Sequence, residues 1–225
     1  MSRLHLLRVF CDDDESGGNP LAVFLDGVEV APTARQAVAA DLGLSETVFV
    51  DDAGRGELRI FTPTVELEFA GHPTVGSAWL LAAERDAVAS LRVPAGELLV
   101  RYEDGAAFVA ARPQWGPRFE WERLDSPAEV EALTGPPGGH DHLGVWAWAD
   151  EAAGTVRARV FPLRYGIAED EATGAAAVQL CSQLGRELDI HQGRGSRIQA
   201  RPLGDGYVEV GGRSALDEVR EYDPP

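Results

Sequence analysis

The chain has 225 residues, 44% hydrophobic and 25% charged, enough for a soluble globular fold of one or two domains with a sizeable core. Twenty lysines and arginines face 37 aspartates and glutamates. The resulting net charge of −17 argues against nucleic acid and anionic membrane surfaces as partners. Cys11 and Cys181 are too few for a disulfide framework and fit a reducing cytoplasm. No apolar run approaches the roughly 18 residues that span a bilayer. The N-terminal residues alternate and then turn acidic, unlike a secretory leader.

Residues 4–10 and 21–25 read as strands around the turn-rich run from Asp12 to Pro20. Ala34, Val38 and Leu42 recur at helical spacing, which predicts a helix over 33–42 that ends at Gly43. Strands are expected at 47–50 and 58–62, and a helix at 74–84 after Gly71-His72-Pro73. Strands at 88–93, 98–102 and 107–112 close the first half. Pro113-Gln114-Trp115-Gly116-Pro117 then reads as a crossover between an N-terminal lobe, residues 1–112, and a C-terminal lobe, residues 113–225. In the second half a short helix capped by Ser126 covers 126–133, with Pro127 in its first turn. Strands follow at 144–149 and 156–161, a helix at 173–184, and strands at 197–201 and 207–210. Residues 215–222 are ambiguous.

Three segments have the residue types for chemistry. In Gly43-Leu44-Ser45-Glu46-Thr47-Val48-Phe49, a carboxylate lies between a helix end and an apolar strand. Burial there would raise its pKa and suit it to accept and return a proton near neutrality; the alternative is a surface Glu at a turn. In Glu68-Phe69-Ala70-Gly71-His72-Pro73-Thr74-Val75-Gly76-Ser77, small residues allow close approach to the backbone. The free amides of that helix start suit a carboxylate or phosphate, and His72 can donate a proton or hydrogen bond. The alternative is a capped structural helix. In Glu169-Asp170-Glu171-Ala172-Thr173-Gly174-Ala175-Ala176, Asp170 or Thr173 can cap a second helix whose start is open to a ligand. Acids at a helix N-terminus are also expected on dipole grounds alone.

The second and third segments belong to a weak repeat. Arg59-Ile60-Phe61-Thr62-Pro63 leads to Thr74-Val75-Gly76-Ser77-Ala78, as Arg159-Val160-Phe161-Pro162 leads to Ala172-Thr173-Gly174-Ala175-Ala176. A repeat of about one hundred residues suggests two similar lobes, not a solenoid. Two small-residue helix starts, one per lobe, could converge on one anionic substrate.

Gly18-Asn19-Pro20-Leu21-Ala22-Val23 resembles the N-terminal signature of the PhzF-like family, named for phenazine biosynthesis. Leu44-Ser45-Glu46-Thr47, Phe61-Thr62-Pro63, Phe69-Ala70-Gly71-His72-Pro73-Thr74 and Glu169-Asp170-Glu171-Ala172-Thr173-Gly174 follow in that family's order. Gln192-Gly193 through Gly195-Ser196-Arg197-Ile198 resembles its C-terminal glycine-rich motif. The resemblance implies an α+β fold like that of diaminopimelate epimerase. In that fold, two pseudo-symmetric lobes each curl a sheet around a central helix, with the active site between them.

The resemblance further implies a homodimer and catalysis without metal, nucleotide or pyridoxal cofactor. It makes Glu46 the residue that shuttles a proton, assisted by His72 and Asp170, on a small anionic carboxylate substrate. Gly71, Thr74, Gly76, Ser77, Thr173, Gly174 and Ala175 are the expected substrate-binding positions. Two departures bear on the substrate: Glu171 stands where the family usually has Pro, and Ala175 where it often has Ser. An epimerase of the same fold would typically use two facing thiols, but the corresponding positions here hold none. A relative that binds small molecules without turnover is the third reading. His140 and His142 lack further ligands at metal spacing, and Gly193-x-Gly195 lacks a dinucleotide-binding context.

Overall fold

The computed structural model describes residues 2–223. In chain order the first half contains β1 (Ser2–Cys11), β2 (Gly17–Phe24), α1 (Arg35–Leu42), β3 (Thr47–Asp52), β4 (Glu57–Phe61) and β5 (Glu66–Leu67). It continues with α2 (Gly71–Glu84), β6 (Ser90–Val93), β7 (Gly96–Glu103) and β8 (Ala106–Ala111). The second half contains β9 (Glu120–Arg123), α3 (Pro127–Ala132), β10 (Leu143–Asp150), β11 (Thr155–Phe161), α4 (Gly174–Leu184), β12 (Leu188–Gln192), β13 (Ser196–Pro202) and β14 (Val208–Tyr222).

Local chemistry accounts for several boundaries. Gly43 and Gly185 end α1 and α4 in the left-handed conformation, where glycine carries no Cβ penalty. Ser126 Oγ accepts the Glu129 N–H at the start of α3, with Pro127 in the first turn. Helix α2 begins three residues before the expected start at Thr74. Pro73 lies within its first turn, where a missing N–H costs no intrahelical bond. The ambiguous 215–222 segment continues β14. Strand β12 escaped the sequence pattern because Asp189 and His191 alternate with Leu188, Ile190 and Gln192 over only five residues. The short strands β5 and β9 were not anticipated either.

The strands form one curled sheet. Pairings run in a closed circuit from β1 through β2, β3, β4, β6, β7, β8 and β14 back to β1. The link from β4 to β6 is thin, a parallel pairing of Glu57 with Arg92. A second, open set continues from β14 through β13, β12, β11 and β10 to β9. Strand β14 is the shared wall. One edge pairs with β8; the opposite edge pairs first with β13 and then with β1.

Each set wraps a helix with no exposed face at its start. In α2, Gly71 to Ala78 are all buried; in α4, Gly174 to Cys181 are. A helix apolar on all sides is stable only inside a core, and these two are the central helices. Gly76 lets α2 reach the sheet: a Cβ there would lie 2.6 Å from Val9 Cγ2 and 2.7 Å from Leu21 Cδ2. The weak repeat corresponds to β4 leading to α2 and β11 leading to α4.

Candidate active site

The two central helices meet start to start. A Cβ on Gly71 would lie 2.6 Å from Gly174 Cα, and one on Gly174 would lie 2.9 Å from Gly71 Cα. Only glycines permit that approach. Each helix start presents amides without intrahelical partners and about half a positive charge. Two such ends in contact repel each other, and an anion placed between them relieves the repulsion.

A cavity of about 330 Å³ opens at this junction. Gly71, His72, Thr173, Gly174 and Ala175 line it, together with Glu46 and Asp170. Phe69, Trp115, Phe119 and Ile167 supply apolar wall. Gln179 on α4 holds part of that wall in place. Its Oε1 accepts the Phe119 N–H at 3.0 Å, and its Nε2 donates to the carbonyls of Pro113 and Pro117.

Glu46 lies directly before β3, at the end of the loop that follows α1, and its side chain is largely buried. Its Oε2 is 3.5 Å from His72 Nε2, and neither atom has a hydrogen-bond partner among the described residues. Burial pushes the Glu46 carboxyl up to about 7, against a smaller opposing effect of the Ser45 hydroxyl. Burial pushes the His72 imidazole down to about 4, although the Asp170 charge and a hydrogen bond to the Pro20 carbonyl act the other way. At neutral pH Glu46 is therefore near half-ionised and His72 is neutral. With one ring nitrogen donating to Pro20, Nε2 is left as an acceptor facing the carboxyl.

Asp170 is held differently. Asn19 Nδ2 donates to its Oδ1 at 2.7 Å, and Thr173 Oγ1 donates to its Oδ2 at 2.6 Å. Gln192 Nε2 donates to the Asp170 carbonyl and to Thr173 Oγ1, both at 2.9 Å. Burial first, and then the Glu46 charge, raise the Asp170 carboxyl above its ordinary range. Neither Asp170 nor Thr173 caps α4 with its side chain. They bond to each other instead.

The other expected binding residues are distributed unevenly. Thr74 is buried, and its hydroxyl donates back to the Ala70 and Gly71 carbonyls. Gly76 packs on β1 and β2, and the Ser77 hydroxyl is buried without a partner among the described residues. None of the three lines the cavity. Ala175 does, and it packs closely against Gly116: a Cβ there would come within 2.9 Å of the Ala175 methyl. Glu171 is absent from the lining. Its Oε1 accepts the Arg194 N–H at 2.5 Å and the Ser196 hydroxyl at 3.1 Å, tying down the 193–196 turn.

Sequence reasoning assigned no role to Asn19, Gln179 or Gln192. All three are buried amides, and a buried amide needs partners; burial was the missing information. The cysteines stand apart from the cavity. Cys11 is buried in β1, and Cys181 lies inside α4, where burial pushes its thiol up to about 12. Among the described residues, no three His, Cys, Asp or Glu side chains form a metal-binding group. His140 Nδ1 instead lies 3.1 Å from Glu120 Oε1. No helix among the described residues is long and apolar enough to cross a membrane.

A curled sheet around two central helices, with a buried carboxyl and imidazole at their junction, defines an α+β fold of the racemase and epimerase kind. Solved structures agree. A phenazine biosynthesis PhzC/PhzF protein from Clostridium difficile superposes with a TM-score of 0.80 at 22% identity, covering 99% of this chain and 100% of that one. A predicted epimerase from Pseudomonas aeruginosa superposes with a TM-score of 0.73 at 24% identity, covering 99% of each.

In sequence, residues 7–136 match the PhzC-PhzF family, described as phenazine biosynthesis-like protein. The chain is also 32% identical to the trans-2,3-dihydro-3-hydroxyanthranilate isomerase of Pseudomonas aeruginosa, across 91% of this chain and 94% of that one. The chain belongs to the PhzC-PhzF family, and its isomerase relatives support an enzyme of that class.

Proposed function

We propose that this chain is an isomerase that moves a carbon-bound proton on a small carboxylate. The observation that supports it best is the Glu46–His72 pair, 3.5 Å apart, buried, and unpartnered beside two converging helix starts. The substrate carboxylate sits against the amides of Gly71, His72, Gly174 and Ala175. Ionised Glu46 takes the proton from carbon, and the electron pair delocalises into the unsaturated acid. The helix-start amides stabilise the developing charge. Protonated Glu46 can donate to neutral His72 Nε2, which holds the proton in the cavity until Glu46 returns it to another carbon. A group with a pKa near the working pH is suited to both transfers. Asp170, with both oxygens already accepting hydrogen bonds, fixes the second helix start and the local charge.

This scheme uses no metal or organic cofactor. A two-thiol epimerase has no support from the positions of Cys11 and Cys181. The non-catalytic alternative loses part of its motive, because the Glu171 carboxylate is engaged by the 193–196 turn.

The test is an NMR assay in heavy water with trans-2,3-dihydro-3-hydroxyanthranilate and related amino and unsaturated carboxylates. Wild type should isomerise or exchange deuterium into at least one of them. Glu46→Gln should remain folded and lose about a thousandfold in turnover. Equal turnover in the two proteins would refute the assignment.

A further inference from the structure

A second groove, of about 750 Å³, adjoins the inner cavity and shares Leu67, Pro117 and Tyr165 with it. Arg118, Arg164, His142, Glu120 and Asp141 complete it, with Val65 at the side. Several arginines of this acidic chain are taken up by carboxylates, among them Arg8 by Asp217, Arg35 by Asp51, Arg159 by Glu169 and Arg197 by Asp189. Arg118 and Arg164 are exposed, and among the described residues their guanidinium groups have no ion-pair partner. The groove also holds two acids, Asp141 and Glu120, and Glu120 Oε1 lies 3.1 Å from His140 Nδ1.

His142 lines the same groove and is 6% exposed. Its ring is packed between Phe119 and Tyr165, with centroids 5.5 and 4.9 Å away. Its Nδ1 is buried and has no hydrogen-bond partner among the described residues. A buried polar atom without a partner costs free energy, and a shift of the ring on ligand binding can relieve that cost.

We propose that this groove is a second substrate subsite, binding a carboxylate or phosphate group carried on an arm of the substrate remote from the reacting carbon. The inference rests on the isomerase reading above. The guanidinium fork matches an oxyanion in shape and charge. Tyr165, common to both spaces, is the wall past which such an arm would run. The inner cavity then sets the chemistry, and the outer groove selects the substrate.

Two measurements test this. In the first, protein labelled with ¹³C at histidine Cε1 is titrated with inorganic phosphate at one fixed pH, and His142→Gln identifies the His142 signal. The signal should shift saturably in wild type and lose that response in Arg118→Gln/Arg164→Gln. No saturable shift, or a shift that persists in the double variant, overturns the subsite whether or not the protein turns over any substrate.

In the second, paired compounds with and without the second carboxylate or phosphate are compared. Wild type should favour the doubly charged member in kcat/KM, and the double variant should lose about tenfold of that preference. An absent or undiminished preference overturns the substrate arm, even if phosphate binds. Loss of the isomerase reading would appear separately, as exchange at carbon that does not depend on Glu46.

Discussion

The starts of the two central helices look alike in sequence and differ in how their polar groups are used. At α2, His72 Nε2 faces Glu46 without a hydrogen bond. At α4, both oxygens of Asp170 and the hydroxyl of Thr173 are bound into a network with Asn19 and Gln192. One start leaves its polar atom free to meet a substrate; the other spends its polar atoms on holding the shape. Two copies of one motif thus differ in whether their polar atoms are left open or bound into a network.

That contrast can be broken by exchanging the effects of mutation. His72→Asn should lower turnover about a hundredfold while the melting temperature falls less than in Asp170→Ala, because the shorter amide can still donate to the Pro20 carbonyl and Nε2 made no bond to lose. Asp170→Ala should do the reverse in emphasis. It removes the acceptor of one Asn19 N–H and of the Thr173 O–H, while Asn19 keeps the Ala172 carbonyl and Thr173 keeps Gln192, so a loss of roughly 1–3 kcal/mol in all and a melting temperature lower by several degrees are expected. Equal destabilisation by both substitutions in calorimetry would erase the distinction.

Gly71→Ala probes the contact between the starts. The added methyl meets the Gly174 backbone, which cannot rotate away, so a loss of roughly 1–3 kcal/mol is expected despite the better helix propensity of Ala. Chemical denaturation would measure it, and an unchanged midpoint would show that the starts are free to separate.

The pH dependence sharpens the α2 side. The Glu46 carboxyl is raised from 4.5 to about 7, so it binds its proton more tightly folded than unfolded. Its stabilising contribution is present below about pH 4.5 and is lost as the pH rises towards 7. Across that window wild type should lose melting temperature relative to Glu46→Gln; a constant difference would contradict the burial of this carboxyl. The smallest effect is expected for Glu171→Ala. Removing its bonds to Arg194 and Ser196 should cost about 1 kcal/mol and leave turnover nearly intact. A large change in kcat/KM would place that carboxylate in the cleft after all.

The short local motifs were the readable part. Glu46, His72 and Asp170 sit in short runs of small and polar residues between apolar segments, and local pattern suffices to find such runs. Position along a helix was less accessible: Gly76 and Ser77 share the α2 motif, yet about one turn further in both are buried away from the cavity, Gly76 against β1 and β2. Partners distant in sequence were least accessible. Nothing near Asn19 announces Asp170, and nothing near Gln192 announces Thr173, because those pairs exist only once β2, β12 and α4 are assembled. Glu171 shows the same limit. Its departure from the family pattern pointed to the substrate, whereas the fold provides it with a backbone N–H and a hydroxyl away from the cavity.

The shared wall β14 also has a consequence for biogenesis. Ser2 at the start of β1 pairs with Tyr222 at the end of β14, so the circuit around α2 needs strands from opposite ends of the chain. During synthesis the ribosome must produce β14 before the first strand can find its neighbour. Until then α2 has an unclosed cage, and the Glu46–His72 pair has no fixed dry setting. Assembly of such distant pairings is intrinsically slow. Closure of that seam therefore comes late, and the dry setting of the proposed site depends on it.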